Sequence, residues 1–381
     1  MGWGLTLTFL RWGPQFKLHR SLFQKTFAQS NVKSFRGIQL HEARKAVRCL
    51  VADPEDWEGI THLLTTSIVF RIAFGHEIRD KTSPYLALSA AAHDATTGGG
   101  IPGTSLVDVF PPARFLPEFL NPSGALRHAR RSRPAIEAVR EVPWRATLAE
   151  IKAGTAPSSF MRTHLARLAA AAPPPDLTVA DVKGATSTVL VAGGNTTWST
   201  VLACMLFLTK HPAVQRRACA ELDAALGAGD DGGSGALPAR LPTFDDLPAL
   251  PYLARFTREV LRVLPLNPLV IPHKSRREDT YRGMRIPAGS VVFANAGAMN
   301  RDPATYRDPD VFDPDRYLRG EPYPAGNFGF GRRKCPGNFL ALASVDIFLA
   351  TLMAVFELKK VVGPDGEVRE PEPGLLVGLG G

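Results

Sequence analysis

The segment FGFGRRKCPG, Phe328 to Gly337, surrounds a single cysteine with glycines, arginines and aromatic residues. A disulfide needs a second cysteine, and a structural zinc site usually takes four ligands from closely spaced Cys and His residues. Neither pattern surrounds Cys335. A metal that takes one thiolate from the chain and its other ligands elsewhere fits the segment, and haem iron is such a metal. The alternative is a buried structural cysteine that precedes a helix.

Five positions of this segment carry the prediction: Phe328, Gly331, Arg333, Cys335 and Gly337. At average residue usage, this spacing arises by chance in fewer than about one such chain in a thousand. Glycines let the backbone fold tightly beneath a flat ring, and backbone amides can hydrogen-bond the sulfur. The arginine can neutralise a haem propionate, and the phenylalanine can shield the thiolate from water. The segment therefore predicts both the metal ligand and its cofactor-binding neighbours.

The composition is that of an ordinary globular protein, with 381 residues of which 45% are hydrophobic and 21% charged. We expect one domain over residues 1–381, with a flexible Gly-rich loop at about 227–240. The four cysteines are scattered, so a disulfide framework is not expected. The net charge is +9, but the basic clusters lack a nucleic-acid motif. A solvated basic surface is the simpler interpretation, and an acidic partner or an anionic membrane face is the alternative.

Hydrophobic periodicity predicts a mainly α fold with a small β-sheet element late in the chain. A run without charged residues, 185–209, is long enough to span a membrane by length alone. Its many Thr, Ser, Asn and Gly residues favour instead a long central helix in a soluble core. Thr178 and Asp181 form a capping-box pattern at its start. Short strands are expected in "NPLVIPHKS", "TYRGMRIP" and "SVVFANAGA".

A second group of residues predicts a buried ion-pair cluster. Glu259 and Arg262 lie three residues apart and share one helix face, where they can pair. Such pairs are common on solvated surfaces, but the apolar neighbours indicate partial burial here. A buried pair is stable only when its remaining hydrogen-bonding groups are satisfied, and Arg316 is the natural third member. The role of this triad would be structural.

The segment AGGNTT, residues 192–197, lies in the middle of the long helix. Two glycines inside a helix cost about 1 kcal/mol each relative to alanine, so some other interaction should offset that cost. They would let a flat ligand approach and would allow the helix to widen locally. Thr196 could then bind dioxygen and, with Asn195, help to deliver protons. The alternative is a pair of helix-packing glycines with ordinary threonines.

The cysteine segment resembles the haem-binding loop of the cytochrome P-450 monooxygenases, in the variant typical of the eukaryotic, membrane-associated and fungal branch. The order of Glu259, Arg262, Arg316 and the cysteine segment is similar to that family's ion triad. AGGNTT resembles its oxygen-binding helix segment, but has Asn195 where a carboxylate is usual. "FKLHR" resembles its W-x-x-x-R helix, with Arg20 as a cation for a propionate. His273 lies where the family places another basic residue against a propionate.

The resemblance implies a cytochrome P-450-like fold with haem b held by the Cys335 thiolate. It also implies insertion of one oxygen atom from O2 into an apolar small molecule, a role in secondary metabolism, and electrons from NADPH through an FAD/FMN reductase. The resemblance further implies a location at the cytoplasmic face of the endoplasmic reticulum membrane. The family's anchor and its early helices and strands precede the region that Met1 begins, so an N-terminally truncated chain is expected.

Two alternatives remain at this stage. Asn195 is compatible with a haem-thiolate enzyme that is not an oxygenase, such as an isomerase or a user of peroxide. The family's early segments have no counterpart in this sequence, and this difference is compatible with an inactive fragment.

Overall fold

A computed structural model describes residues 2–98, 105–117, 124–172, 174–227 and 238–372. Most of the Gly-rich loop expected at about 227–240 lies outside these residues, as does the chain end from 373. The α-helices of the described part are α1 (Pro14–Phe27), α2 (Arg36–Ala52), α3 (Trp57–Phe74), α4 (Pro84–Thr97), α5 (Leu106–Val109), α6 (Gly124–Lys152), α7 (Phe160–Leu168), α8 (Val179–Lys210), α9 (Pro212–Leu226), α10 (Pro251–Val263), α11 (Ala296–Met299) and α12 (Asn338–Met353).

The long central helix is α8, as the sequence predicts. Its first turn is closed by a capping box, in which the Thr178 hydroxyl accepts from the Asp181 amide and the Asp181 carboxylate accepts from the Thr178 amide. Among the described helices, α8 is the one long and apolar enough to cross a membrane, with a mean hydropathy of 1.3 over its most apolar window. Core helices of soluble proteins also have this character. Here α8 packs along α3 more extensively than any other two described elements pack together.

The apolar core lies among α2, α3, α8 and α12, where both α3 and α12 pack against α2 and α8. Buried aromatic and aliphatic side chains fill it, including Phe70 of α3, Leu208 of α8 and Phe348 of α12. Helix α12 is apolar on all sides, as expected for a helix enclosed by others. It begins directly after the cysteine segment, so the core fixes the position of Cys335.

The strands are short and lie near the surface. β1 (His273–Lys274) pairs antiparallel with β4 (Val291–Val292), and β2 (Asp279–Tyr281) pairs antiparallel with β3 (Met284–Ile286). The β2–β3 hairpin turns at Arg282 and Gly283, whose φ angles are 50° and 77°. Two positive φ angles match the twist of a tight hairpin. The expectation of a mainly helical fold with a small strand-rich element is confirmed.

Candidate cofactor site around Cys335

The cysteine segment is a tight loop that ends at the start of α12. The Cys335 amide donates to the Phe328 carbonyl at 2.7 Å and closes the loop. Within it, Gly329 and Gly331 have φ angles of 70° and 52°, a conformation that glycine adopts without the steric cost of a side chain. Residues Gly331–Arg333 form one turn of 3-10 helix. The glycines therefore shape the loop itself.

The electrostatic environment of the Cys335 sulfur has opposing components. Burial raises the pKa of the thiol, whereas the Gly337 amide and the charge of Arg20 favour the thiolate. A Cβ atom at Gly337 would lie 3.8 Å from the sulfur, which is an ordinary contact. The protein's own atoms thus allow a side chain at Gly337, and the contribution of this residue to the site is its backbone amide, which favours the thiolate.

Two arginines lie near the thiol, Arg20 close to the sulfur and Arg333 close to Arg20. The guanidinium carbon of Arg333 is 3.7 Å from the centroid of the Phe16 ring, and its Nη2 donates to the Leu10 carbonyl at 3.0 Å. Arg20 is close enough to both Cys335 and Arg333 to affect their titration. Burial lowers the pKa of both arginines. The Arg20 Nε is buried and has no hydrogen-bond partner within the described residues.

This arrangement fits the haem that the sequence predicts. Two partly buried guanidiniums without a described carboxylate partner favour an anionic ligand such as a pair of propionates, since a buried charge is stable when paired. The neighbouring sulfur can serve as the thiolate ligand. Phe16, which stands where the family has tryptophan, is only 2% exposed and lacks an indole donor. It supports Arg333 through its ring face.

The remaining predicted cofactor-binding residues are Phe328 and His273. Phe328 is half-buried, and its carbonyl rather than its ring closes the loop. His273 is exposed on β1, and its ring forms no hydrogen bond within the described residues. A contact between His273 and a propionate stays a prediction.

The structure brings Glu259, Arg262 and Arg316 together in the interior, with each at most 1% exposed. Arg262 binds the carboxylate through two hydrogen bonds of 2.8 and 2.9 Å, and Arg316 Nε donates to the same carboxylate at 2.9 Å. The Tyr317 hydroxyl and the Asp313 amide add donors at 2.8 and 3.0 Å. The carboxylate is therefore fully hydrogen-bonded, which a buried charge requires.

The triad is linked to the cysteine loop through Asn300. Arg262 Nη1 donates to the Asn300 carbonyl at 2.8 Å. The Asn300 side-chain oxygen in turn accepts from the Ala325 amide at 3.0 Å, three residues before Phe328. Two hydrogen bonds thus connect the buried ion pairs to the start of the loop, which explains how the triad can brace it.

The glycines of the AGGNTT segment serve helix packing more than the sequence suggested. A Cβ atom at Gly193 would lie 2.7 Å from Val69 Cγ1 of α3, whereas one at Gly194 would lie 3.7 Å away from Val69. Residues Val179–Lys210 form one continuous α-helix, so the widening that the glycines would allow is not used here. The close approach of α3 and α8 is the interaction that offsets the cost of Gly193.

Thr196 and Asn195 point to different surroundings. Thr196 is half-buried and its hydroxyl donates to the Ala192 carbonyl at 2.7 Å, one turn earlier on an open face of α8. Asn195 is 9% exposed, and its side-chain oxygen lies 3.1 Å from Nε2 of His62 on α3. The sequence interpretation placed these two residues together and did not identify His62, which lies 133 positions from its partner and carries no local motif.

Comparisons with known proteins agree with this architecture. A family model described as Cytochrome P450 matches residues 3–378. A cytochrome P450 monooxygenase of Armillaria gallica is 34% identical over 99% of this chain and 73% of its own length. Tryptamine 4-monooxygenase of Psilocybe cyanescens is 32% identical over 96% of this chain and 72% of its own length. A zebrafish cytochrome P450 solved with abiraterone has a TM-score of 0.69 at 24% identity, over 92% of this chain and 76% of that one.

Proposed function

The chain belongs to the cytochrome P450 family, and from that membership we propose how its own residues hold the haem, handle protons and receive electrons. It is a haem-dependent monooxygenase, an oxidoreductase that incorporates oxygen from O2. When bound, the haem supplies the iron that activates dioxygen for transfer of one oxygen atom to a small molecule. The names of the relatives favour this reaction over an isomerase or a peroxide user. We take an apolar small molecule as the substrate class.

Cys335 is the proposed iron ligand, and its position beside Arg20 and Arg333 is the observation that carries the assignment. A thiolate is the form that binds a metal, and the Gly337 amide with the nearby cation stabilises that form against the effect of burial. The same two arginines would bind the propionates, with Arg333 held in place by Phe16. His273 is the proposed further contact. Phe328 and Gly337 complete the loop beneath the ring.

The open face of α8 is the proposed location of oxygen chemistry. The Thr196 hydroxyl donates to the Ala192 carbonyl, so the hydroxyl oxygen can accept a hydrogen bond from a water or another donor. Replacement of Thr196 by valine retains the shape and removes the hydroxyl. We expect this variant to release more peroxide and to form less product for each NADPH oxidised, by up to about 10²-fold.

Electrons are proposed to arrive from an NADPH-dependent FAD/FMN reductase at a basic surface beside the cysteine loop. The Lys17 ammonium and the Arg332 guanidinium lie 5.6 and 5.3 Å from the centroid of the same Trp12 ring. Lys334, two residues further on, is exposed. This cluster suits an acidic docking face, whose attraction should weaken with added salt. We also propose the cytoplasmic face of the endoplasmic reticulum membrane as the location, as in eukaryotic members of the family.

The direct test is oxygen incorporation by the 381-residue chain with a purified reductase and NADPH. We expect one labelled oxygen atom in the product when the reaction contains 18O2, and unlabelled product in labelled water. Arg20→Leu should lower haem retention, while Lys152→Leu, an exposed lysine at the end of α6, should retain it. Label from water in place of O2, or haem retention unaffected by Arg20→Leu, would contradict the proposal.

A further inference from the structure

The hydrogen bond between His62 and Asn195 joins a titratable ring to the segment proposed to handle protons. The His62 Nε2 and the Asn195 side-chain oxygen are 3.1 Å apart across the α3–α8 contact. An amide oxygen only accepts, so the ring nitrogen carries the hydrogen. Within the described residues, His62 is the ionisable side chain that hydrogen-bonds to residues 192–197.

Neighbouring side chains hold the His62 ring in place. It packs against Trp198, one turn after the Asn195 region, with ring centroids 4.7 Å apart. The Trp198 indole nitrogen donates to the hydroxyl of Thr61 at 3.1 Å, and Thr61 is fully buried on α3. The indole is therefore anchored on the same helix as the imidazole that it supports. A fixed ring presents the same nitrogen to Asn195 throughout.

The surroundings of His62 leave it able to titrate. It is half-buried, and the charged or titratable groups that face it are His93 and Asp94 of α4. Helix α8 presents the neutral Asn195 and Trp198. The Glu42–Arg71 ion pair of α2 and α3 lies about 13 Å further along α3, at 1.5 Å per residue.

Burial, with His93, lowers the pKa of His62, while the hydrogen bond to Asn195 and the charge of Asp94 oppose this effect. The ring is therefore mainly neutral at pH 7, and its protonated fraction increases as the pH falls. A group that changes charge at or below neutral pH can exchange protons with solvent during turnover, which the Asn195 amide cannot do.

We propose that His62 supplies the titratable proton that Asn195 lacks, and that Asn195, by accepting from Nε2, holds the ring so that Nδ1 gives this proton to a water that carries it toward Thr196. In this step the Nδ1–H bond of the imidazolium breaks and an O–H bond forms on the water, while Nε2 keeps its hydrogen bond to Asn195. A solvent proton then restores the Nδ1–H bond, so the ring is unchanged after each cycle. His62 is the proton-supplying residue and Asn195 positions it. The inference rests on the proposed monooxygenation.

A packing role for the same hydrogen bond makes different predictions. His62→Gln retains a donor to Asn195 but removes the titratable group, so it should preserve stability and lose the proton supply. His93→Phe is the matched control, because His93 also lies close to Trp198, with ring centroids 6.3 Å apart, but within the described residues its ring forms no hydrogen bond to Asn195. Removing the His93 charge should move the midpoint of the pH profile to higher pH without abolishing the profile.

The experiment measures product formed per NADPH oxidised between about pH 5.5 and 8, where histidine titrates. In the unmodified chain this ratio should rise as the pH falls. His62→Gln should reduce it by about tenfold at the acidic end and flatten the profile, while His93→Phe retains the rise. Asn195→Asp supplies a second test if His62→Gln folds poorly. A carboxylate beside the imidazole should increase the ratio and move its midpoint upward, since an opposite charge favours the protonated ring.

An NMR titration of the His62 ring in the reduced, carbon-monoxide-treated protein gives a readout that does not depend on turnover. Asn195→Ala should lower the His62 pKa, because the hydrogen bond that raises it is lost. A pH profile unaltered in His62→Gln, or a His62 pKa unaffected by Asn195→Ala, overturns the inference while product formation continues. Absence of product at every pH instead overturns the monooxygenation on which it rests.

Discussion

The guanidinium carbon of Arg333 lies over the Phe16 ring, 3.7 Å from its centroid, so α1 and the cysteine loop are joined by a cation–π contact. Such a contact contributes about 0.5–2 kcal/mol, and more when it is shielded from water. Phe16→Leu retains an apolar side chain and removes the ring. We expect it to lower the free energy of unfolding of the haem-loaded chain by about this amount beyond its packing cost.

A double-mutant cycle isolates that contact. In the Arg333→Met background, Phe16→Leu should cost only the packing difference, because no cation remains above the ring. Chemical denaturation measures the four free energies. Equal costs of Phe16→Leu in the two backgrounds would show that the ring supports the loop by volume alone.

The buried ion triad predicts a large effect from the loss of one partner. Glu259→Ala leaves Arg262 and Arg316 without their carboxylate in the interior and should cost about 3–5 kcal/mol. We expect mostly insoluble, haem-free protein. The matched control is Glu278→Ala, since the Glu278–Arg285 pair has an N–O distance of 2.6 Å but is exposed, and should cost under about 1 kcal/mol. Similar yields of soluble, haem-loaded protein for both variants would contradict the assignment.

Gly193→Ala should destabilise the α3–α8 contact, because its Cβ would lie 2.7 Å from Val69 Cγ1. Overpacking of a core typically costs about 1–3 kcal/mol, which exceeds the gain in helix propensity of about 1 kcal/mol. Gly194→Ala, with 3.7 Å to the same side chain, should be neutral or stabilising. Thermal unfolding distinguishes the two variants.

Val69→Ala provides the complementary test of this contact. It should relieve the clash, so that Gly193→Ala is better tolerated in that background than in the unmodified chain. An identical cost in both backgrounds would mean that Val69 is not the side chain that requires glycine.

How far the sequence predicts this site depends on the range of each interaction. The capping box at Thr178 and the helical spacing of Glu259 and Arg262 are local patterns, so α8 and the pair could be predicted directly. The acceptors that complete the triad, such as the Asn300 carbonyl, come from a segment nearly forty residues away. Likewise, the partners of Gly193 and Asn195 lie on α3, more than a hundred residues earlier. Their roles depend on helix packing, which periodicity does not specify.

His164 predicts a pH dependence of stability. It is 3% exposed, and burial with the nearby Arg167 and Lys25 lowers its pKa to about 4. The unfolded chain binds the proton near pH 6.5, so stability should be complete above this pH and decrease as the pH falls toward 4. At about 1.4 kcal/mol for each pKa unit, the full loss is about 3 kcal/mol. His164→Gln should flatten this part of the profile measured by denaturation at several pH values.

The control for this titration is His41→Gln, because His41 is 46% exposed beside Glu77. The free energy of unfolding of this variant should decrease with falling pH as it does in the unmodified chain. A steep decrease retained in His164→Gln would assign the pH dependence to other groups.

The reduced, carbon-monoxide-treated absorption spectrum of Cys335→Ser tests the central claim most directly. Burial raises the pKa of both the Cys335 and the Cys204 thiols, but the charge of Arg20 opposes this at Cys335, whereas the charge of Asp346 adds to it at Cys204. The Soret band of a thiolate-ligated haem should appear in the unmodified chain. It should also appear when any one of the other three cysteines, Cys49, Cys204 or Cys219, is replaced by Ser. Cys335→Ser should lose that band. A normal thiolate band in Cys335→Ser would show that another residue ligates the iron.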